Sequence, residues 1–286
     1  MAKKRFILNA DDFGMSKALN RAVLEGYQHG LLKSASLVAN GSAFDEAINS
    51  IIPQCPDLGI GIHLNIMEGI SLCEDLTSLT NDKNEFNNSY INLLIKSYNK
   101  KETEFLEQVE REFRRQIEKI MSKTKVSHID SHVHIHSIPK IFEIVCRLAK
   151  EYGIPQVRTQ FEKIYFVPDI KKHVGFKYLS NLVKIAVLNT FTIFNEGTIH
   201  KYELTTNDYI IGVGYTSMMD ALTIAYGASV IKYKNITLEA VIHPCRYEDG
   251  TIDNRFDEFL LTRNKKLKEK LESLDYEITN YVKKEN

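Results

Sequence analysis

Short apolar runs, each followed by a longer segment with the periodicity of a helix, recur along most of this chain of 286 residues. The runs that read as buried strands are residues 5–10, 35–39, 58–64, 126–130, 156–159, 209–213 and 238–242. Regular alternation of strands and helices is typical of an α/β fold built on a parallel sheet. Seven candidate strands in one chain predict that this sheet closes, or nearly closes, into a barrel.

The segments between these strands supply the helices, with one exception. Helical periodicity covers residues 16–29, 44–52, 102–121, 139–152, 178–188, part of the stretch between the last two strands, and a terminal helix at 256–282. Residues 71–100 lack this periodicity and are rich in asparagine, so we expect a polar insertion there. A doubly wound open sheet is the structural alternative, but no glycine-rich dinucleotide fingerprint follows the first strand. We predict a single catalytic barrel domain over residues 1–286.

The charge balance of the sequence restricts the class of partner. The chain has 37 basic and 37 acidic residues, so we expect no surface of a single sign for nucleic acid or a membrane. A neutral or weakly charged small substrate fits this balance better. The apolar run before Asp11 is too short for a signal peptide, and no apolar stretch reaches transmembrane length. We therefore expect a cytoplasmic protein.

Polar side chains fall at or near the ends of several predicted strands. Asp11 and Asp12 end the first strand, His63 ends the third, Arg158 lies near the end of the fifth and His243 follows the last. The carboxyl ends of parallel barrel strands meet on one face, where such enzymes place their active sites. Taken singly, the two aspartates could cap the next helix, the histidines could be hydrogen-bonded core residues, and the arginine could form a surface ion pair. Their convergence at one face favours a functional site.

The segment after the fourth strand carries the strongest local signal. His132, His134 and His136 alternate with apolar residues directly after Asp130. A period of two puts the three histidines on one side of an extended segment. An exposed polar edge is the alternative, but imidazole is the commonest metal ligand and a buried row of histidines needs partners. One histidine could bind metal, another touch substrate, and a third only donate a hydrogen bond.

A metal site built from one aspartate and two histidines would leave coordination positions open for water and substrate. Open positions distinguish catalytic metal sites from closed structural ones. A bound cation lowers the pKa of its water and polarises a carbonyl group. A second carboxylate can take the proton of that water, and a separate histidine can protonate a departing amine. The residue set therefore has the parts needed to hydrolyse an amide.

Four motifs together resemble the YdjC family of carbohydrate deacetylases. They are Asn-Ala-Asp-Asp-Phe-Gly at residues 9–14, Gly-Ile-His-Leu at 61–64, His-Ile-Asp-Ser-His-Val-His-Ile-His at 128–136 and His-Pro at 243–244. The resemblance extends along nearly the whole chain. It implies a distorted (β/α) TIM-like barrel related to polysaccharide deacetylases, with about seven parallel strands. It also implies hydrolysis of the acetamide group of N-acetylated sugars of the N-acetylglucosamine or chitooligosaccharide type.

The resemblance also implies roles for particular residues. Asp12, His63 and His132 occupy the positions of the ligands of one divalent metal ion. Asp11 occupies the position of the catalytic base. His243 corresponds to the catalytic acid, and we expect it across a closed barrel from Asp11. Arg158 resembles the arginine that orients the base.

The rest of the histidine-rich segment completes the expected site. Asp130, His134 and His136 are candidates for binding substrate, and Val133 stands where family members commonly have a histidine. The resemblance implies magnesium and a homodimer. Two imidazole ligands suit Zn²⁺, Co²⁺ or Ni²⁺ better than Mg²⁺.

Two other functions remain open from the sequence. A phosphoesterase on a histidine- and aspartate-rich barrel usually needs more ligands for two or three metals, and basic residues for phosphate. A non-catalytic sugar-binding relative would need neither a base at Asp11 nor an acid at His243. The absence of tryptophan means that stacking on a sugar would use tyrosine, phenylalanine or aliphatic surface.

Overall fold

Seven parallel strands form one sheet in the residues that the computed structural model describes, which are 4–102, 104–169, 173 and 175–282. The strands are β1 (Lys4–Phe13), β2 (Ser34–Leu37), β3 (Gly59–Leu64), β4 (His128–Ser131), β5 (Tyr209–Ile211), β6 (Thr237–Ile242) and β7 (Tyr276–Thr279). Their spatial order is β4-β3-β2-β1-β6-β5, with β7 also paired to β1. The sheet curls with helices between its strands, which confirms the predicted distorted (β/α) barrel.

The helices follow the strands in the expected alternation. They are α1 (Lys17–His29), α2 (Tyr90–Tyr98), α3 (Phe105–Met121), α4 (Pro139–Glu151), α5 (Phe176–Lys201), α6 (Ala221–Val230), α7 (Asn254–Leu261) and α8 (Lys265–Ser273). A short helical segment of mixed type over residues 44–54 joins β2 to β3. Ser16 caps α1, since its side chain accepts a hydrogen bond from the Leu19 N–H. Within the described residues, we find no helix with the length and apolar character needed to cross a membrane.

β1 is the centre of the sheet and is buried from Phe6 onward. It pairs with β6 along one edge over residues 5–10. Its other edge is shared, because residues 4–7 pair with β7 and residues 9–13 pair with β2. Burial on both faces is typical of a parallel strand covered by helices, and it explains the nearly continuous apolar run in the sequence.

The predicted fifth strand at 156–159 is present only as single bridges. Gln156 pairs with Thr205 and Val157 pairs with Ile129, while the Ile210 N–H donates to the Phe161 carbonyl at 2.9 Å. This stretch therefore lies between β4 and β5 and bridges the side of the barrel that the regular strands leave open. The side chain of Asn207 makes the hydrogen bonds that the backbone of a neighbouring strand would make in a regular sheet. It accepts from the Thr159 N–H at 2.8 Å and donates to the Thr159 carbonyl at 2.9 Å.

The predicted terminal helix at 256–282 is wrong. The chain instead forms α7, α8 and β7, and Asn264 begins α8 by accepting a hydrogen bond from the Leu267 N–H at 2.9 Å. β7 pairs with the start of β1, so Tyr276 is buried there while Glu277 is exposed. Pairing with a strand more than 260 residues away cannot be read from local periodicity.

The polar insertion at 71–100 is joined to α3 by hydrogen bonds. It contains two antiparallel bridges, Ile70 to Glu85 and Thr80 to Phe86, followed by α2. The buried Glu112 carboxylate on α3 accepts from the N–H groups of residues 72 and 73 at 3.0–3.1 Å. Because the insertion follows β3, it borders the carboxyl end of the barrel strands.

Candidate active site

The end of β1 places two adjacent carboxylates in the mouth of the barrel. The pairing of β1 with β2 is irregular between Ala10 and Phe13, and Asp12 has a left-handed backbone with φ 64°. Such a bulge redirects side chains at the end of a strand. Asp11 and Asp12 are 2% and 1% exposed, respectively. A left-handed, non-glycine residue at the convergence of these side chains is typical of a functional site.

His63 is held by a carboxylate behind it. Its Nδ1 lies 2.6 Å from Asp130 Oδ1, on the neighbouring strand, and its Nε2 lies 3.3 Å from Asp12 Oδ1. Ser36 Oγ donates to Asp130 Oδ2 at 2.7 Å and fixes that carboxylate in turn. Burial opposes protonation of His63, but the charges of Asp130 and Asp11 raise its pKa to about 10. A histidine that uses one nitrogen on a carboxylate presents the other nitrogen in a fixed direction, as metal-binding histidines do.

His132 completes a possible ligand cluster. Its Nδ1 lies 2.8 Å from Asp12 Oδ1, and its Nε2 lies 3.4 Å from the largely exposed Glu68. Asp12, His63 and His132 each offer a ligand atom within 4.8 Å of the others. Asp11, His63 and Asp130 form a second group that meets the same criterion. The structure therefore brings together the three residues predicted to bind metal.

The predicted extended conformation of residues 132–136 is wrong. These residues form a turn of 3-10 helix in which Val133 and His134 are left-handed, with φ 51° and 56°. Ser131 Oγ stabilises the turn because it accepts from the His136 N–H at 2.9 Å and contacts His136 Nδ1. The three histidines consequently point to different surroundings rather than to one side.

The candidates for binding substrate end up at different depths. His136 and Asp130 are fully buried, and His136 Nε2 lies 3.0 Å from the Arg158 carbonyl. Both residues therefore lie behind the mouth of the site, where they contact other side chains. His134 is half-buried, and its Nδ1 has no hydrogen-bond partner in the described part of the chain. Burial lowers the pKa of His134 to about 3, so its ring is neutral.

Arg158 is completely buried and binds three carboxylates. Its Nη1 and Nη2 donate to the two oxygens of Asp11 at 2.8 and 2.7 Å. Its Nε and Nη2 donate to Glu239 at 3.0 and 2.7 Å, and Nη2 also lies 2.7 Å from Asp130. Burial raises the pKa of Asp11, but the charges of Arg158 and His63 and the hydrogen bonds from Arg158 together outweigh it and hold this pKa below its usual value. The guanidinium thus fixes both the ionisation and the orientation of Asp11.

Negative charge exceeds positive charge inside the site. The buried carboxyl groups of the cluster are Asp11, Asp12, Asp130 and Glu239. Burial raises the pKa of Glu239 to about 7, so the three aspartates, whose pKa values are lowered, carry most of the negative charge. Arg158 is their one permanently charged, fully buried cation in the described residues. Burial lowers the pKa of His128 and His136 to about 4, so neither compensates. A site with this balance favours either a proton on His63 or a bound cation.

His243 lies beside Asp11, and the expectation that it lies across the barrel is wrong. β6 is the direct neighbour of β1, with Ile242 paired to Ala10, so His243 follows on the adjacent strand. Its Nδ1 lies 3.7 Å from Glu258 Oε2, and a third of its side chain is exposed. Burial favours the neutral ring, but Glu258, Asp12 and Asp11 raise the pKa of His243 to about 9. The ring therefore carries a proton near neutral pH at an accessible position.

Several residues that support the site were not found by sequence reasoning. Glu239 holds Arg158, Glu258 accepts from the His243 N–H, and Ser36 fixes Asp130. Glu239 did leave a signal, because it is a lone charged residue inside the apolar run of β6, and a buried charge needs a partner. Glu258 and Ser36 leave no such signal in the sequence. A glutamate in a helix and a serine in a short strand do not by themselves indicate a buried partner.

Comparison with known proteins finds relatives that are named carbohydrate deacetylases. The protein of Clostridium beijerinckii named Carbohydrate deacetylase is 38% identical over 152 residues, which are 53% of this chain and 58% of that protein. Carbohydrate deacetylase 1 of Listeria innocua is 40% identical over 152 residues, which are 52% of this chain and 59% of that protein. In both cases the chain spans little more than half the length of the curated relative that it matches.

A solved structure supports the fold, and a family model supports the family. A protein of Enterococcus faecalis V583, provisionally named for cellobiose-phosphate cleavage, superposes with a TM-score of 0.74 at 22% identity, covering 98% of both chains. At that identity, the likeness shows the fold alone. The model of a family described as YdjC-like protein matches residues 5–273. This match covers most of the chain, which therefore belongs to the YdjC-like protein family.

Proposed function

We propose that this protein is a metal-dependent deacetylase of N-acetylated sugars or oligosaccharides of the N-acetylglucosamine or chitooligosaccharide type. The observation that carries the proposal is the position of Asp11, which Arg158 fixes in its ionised form beside the possible ligands Asp12, His63 and His132. The names of the relatives support the same reaction, since those proteins are called carbohydrate deacetylases. A base next to a cation-binding group of residues is an arrangement suited to metal-assisted hydrolysis of an amide.

Asp12, His63 and His132 fit a divalent cation. His63 presents Nε2 toward Asp12 because Asp130 holds its Nδ1, and the buried cluster has an excess of negative charge. When bound, such a cation would polarise the acetamide carbonyl and lower the pKa of water. Two imidazoles and one carboxylate suit Zn²⁺, Co²⁺ or Ni²⁺, whereas the resemblance to the family implies Mg²⁺.

The remaining polar residues at the mouth fit the proton transfers of the reaction. Asp11 is ionised and can accept the proton of the attacking water. His243 is protonated near neutral pH and can donate to the nitrogen of the departing amino sugar. The two residues lie at the carboxyl ends of neighbouring strands, so a single acetamide group could contact both.

The rival functions fit the site less well. Phosphate recognition needs available basic groups, and Arg158 is fully occupied by three carboxylates. Arg255 at the mouth also faces a carboxylate, since its Nη2 lies 3.9 Å from Asp12 Oδ2. A protein that only bound sugar would have no need for an ionised Asp11 beside a protonated His243.

The cytoplasmic location expected from the sequence stays a prediction.

The outward face of α5 carries exposed apolar side chains, and this supports the expected homodimer. Leu179, Val183 and Phe194 on this face are 59%, 65% and 66% exposed. In an antiparallel pairing of two copies centred between residues 186 and 187, Leu179 would face Phe194 of the partner subunit. We infer that α5 forms a two-fold contact between copies of the chain.

The first prediction tests the reaction. The metal-loaded protein should release acetate from N-acetylglucosamine oligomers, measured by mass spectrometry of the sugars. Asp11→Asn should lower turnover by roughly 10²–10⁴-fold, because the base is lost while the ligands remain. Asp45→Asn, on an exposed residue after β2, serves as the control and should leave turnover unchanged. Acetylated sugars that remain intact with every metal supplied would refute the deacetylase assignment.

The second prediction concerns the metal ligands. His63→Ala and His132→Ala should each reduce the divalent metal retained per chain after dialysis, measured by inductively coupled plasma mass spectrometry. His29→Ala, on the exposed end of α1, should retain metal like the unmodified protein. Circular dichroism would show whether each variant remains folded. If both folded site variants retain as much metal as the control, these histidines do not hold it.

The third prediction concerns the proton on His243. In chelator-treated protein, NMR titration should give this ring a pKa of about 9, assigned through the signal that His243→Asn removes. Glu258→Gln should lower this pKa, since it removes a negative charge 3.7 Å from Nδ1. Because the folded-state pKa is raised, the stability that the protonated ring contributes should be complete below a pH of about 6.5. It should be lost as the pH rises through about 9.

A substrate comparison tests the role of the same proton. His243→Ala should reduce hydrolysis of the acetamide far more than hydrolysis of nitrophenyl acetate, whose leaving group needs no proton. Equal losses on the two substrates would mean that His243 orients substrate or supports structure and does not act as an acid.

The fourth prediction concerns α5. Light scattering behind size-exclusion chromatography should give twice the mass of one chain, and Val183→Asp should shift the protein to the mass of one chain. Ile252→Asp changes a residue that is 76% exposed outside this helix, so it should leave the dimer intact. A monomer at all protein concentrations would exclude the dimer, and a dimer that persists in Val183→Asp would place its interface elsewhere.

A further inference from the structure

Tyr281 enters the barrel from the end opposite the active site. It follows β7, which runs beside the first residues of β1. Its side chain points into the interior and is completely buried. Its ring stacks on the imidazole of His128 with 4.0 Å between centroids and 22° between planes. The Gln156 side-chain amide donates to its carbonyl, and Arg5 Nη2 donates to the carbonyl of Asn280 at 2.6 Å. The backbone around Tyr281 is therefore held on two sides.

A continuous chain of hydrogen bonds joins Tyr281 to Asp11. The Tyr281 hydroxyl donates to Glu239 Oε2. Glu239 accepts from Arg158 Nε at 3.0 and 3.1 Å and from Nη2 at 2.7 Å. Arg158 then donates to both oxygens of Asp11 at 2.8 and 2.7 Å. All four side chains in this path are at most 2% exposed, so water does not replace any of the contacts.

We propose that Tyr281 is a positioning residue for Asp11, acting through Glu239 and Arg158; this inference rests on the proposed function of Asp11 as the base. The matched family region ends at residue 273, so β7 and Tyr281 lie outside it. The proposal therefore assigns a role to a part of the chain that the family match does not include.

The physical reason lies in how Glu239 is held. Its carboxylate interacts with Arg158 on one side, and the Tyr281 hydroxyl is its donor on the other. Removing that donor leaves a buried carboxylate that is attracted by Arg158 alone, so the carboxylate and the guanidinium can move together. Asp11 follows, because Arg158 contacts both of its oxygens. A small displacement of a catalytic group lowers turnover strongly even when binding is unaffected.

The sequence of β7 supplies a matched control. Tyr276 is the first residue of β7, is 2% exposed and donates its hydroxyl to the Ala228 carbonyl at 3.1 Å. Its ring contacts Phe6 and Lys4 and is not part of the path to Asp11. Tyr281→Phe and Tyr276→Phe each remove one buried hydroxyl and keep the aromatic ring, so a general loss of stability should affect both variants alike.

The kinetic test compares these two variants in the metal-loaded protein on N-acetylglucosamine oligomers. Tyr281→Phe should lower kcat by roughly 10–100-fold, the range for a lost hydrogen bond to a charged group, with KM and metal content unchanged. Tyr276→Phe should keep kcat. In a Glu239→Gln background, Tyr281→Phe should have no further effect, because the path is already broken. Equal kcat in the two tyrosine variants, or losses that multiply with Glu239→Gln, would overturn the proposal.

A measurement that needs no activity separates this proposal from the proposed function. The Arg158 Nε–H signal, identified by its loss in Arg158→Lys, should be protected from hydrogen exchange in the unmodified protein. Tyr281→Phe should reduce that protection, and Tyr276→Phe should not. Unchanged protection in Tyr281→Phe would refute the positioning role. If this protection changes as expected but the unmodified protein deacetylates no sugar, the proposed function fails while the path from Tyr281 to Asp11 stands.

Discussion

The buried guanidinium of Arg158 is the interaction on which the active site depends. Removing an arginine from water is costly, and only carboxylates at hydrogen-bond distance offset that cost. Asp11, Asp130 and Glu239 do so from three different strands, β1, β4 and β6. Because three carboxyl groups share one guanidinium, loss of Arg158 would leave negative charge uncompensated inside the barrel. The contacts that offset the cost of burying the arginine therefore also join the strand ends that carry the proposed catalytic residues.

Much of the site could be predicted because strand ends in a parallel barrel converge. Asp11, Asp12 and His63 each directly follow an apolar run, and the described structure brings them within a few ångströms of one another. Their spatial proximity follows from topology alone and needs no knowledge of side-chain contacts. The strand and helix alternation was readable for the same reason, since burial on both faces of a parallel strand leaves a continuous apolar run.

The predictions that failed depended on long-range pairing or on local backbone geometry. The row of histidines at 132–136 reads as an extended segment, but Ser131 closes a turn that sends His132 and His136 in different directions. The stretch at 156–159 has the residues of a strand, yet Asn207 takes the hydrogen bonds of a regular ladder. His243 follows the last predicted strand, and the sequence predicts it across a closed barrel from Asp11. The sheet places it next to the first strand, as closure of a barrel requires.

The position of β1 has a consequence for the order in which the barrel can form. Among the described strands β1 comes first in sequence, but two of its three neighbours, β6 and β7, begin only at Thr237 and Tyr276. Pairings between such distant residues carry a large entropic cost of loop closure and slow the search for the native topology. While the chain is still being made, β1 has only β2 as a partner, and the rest of its apolar edges stay unpaired. The central strand of the sheet thus precedes the other described strands in sequence and is among the last to be completed in folding.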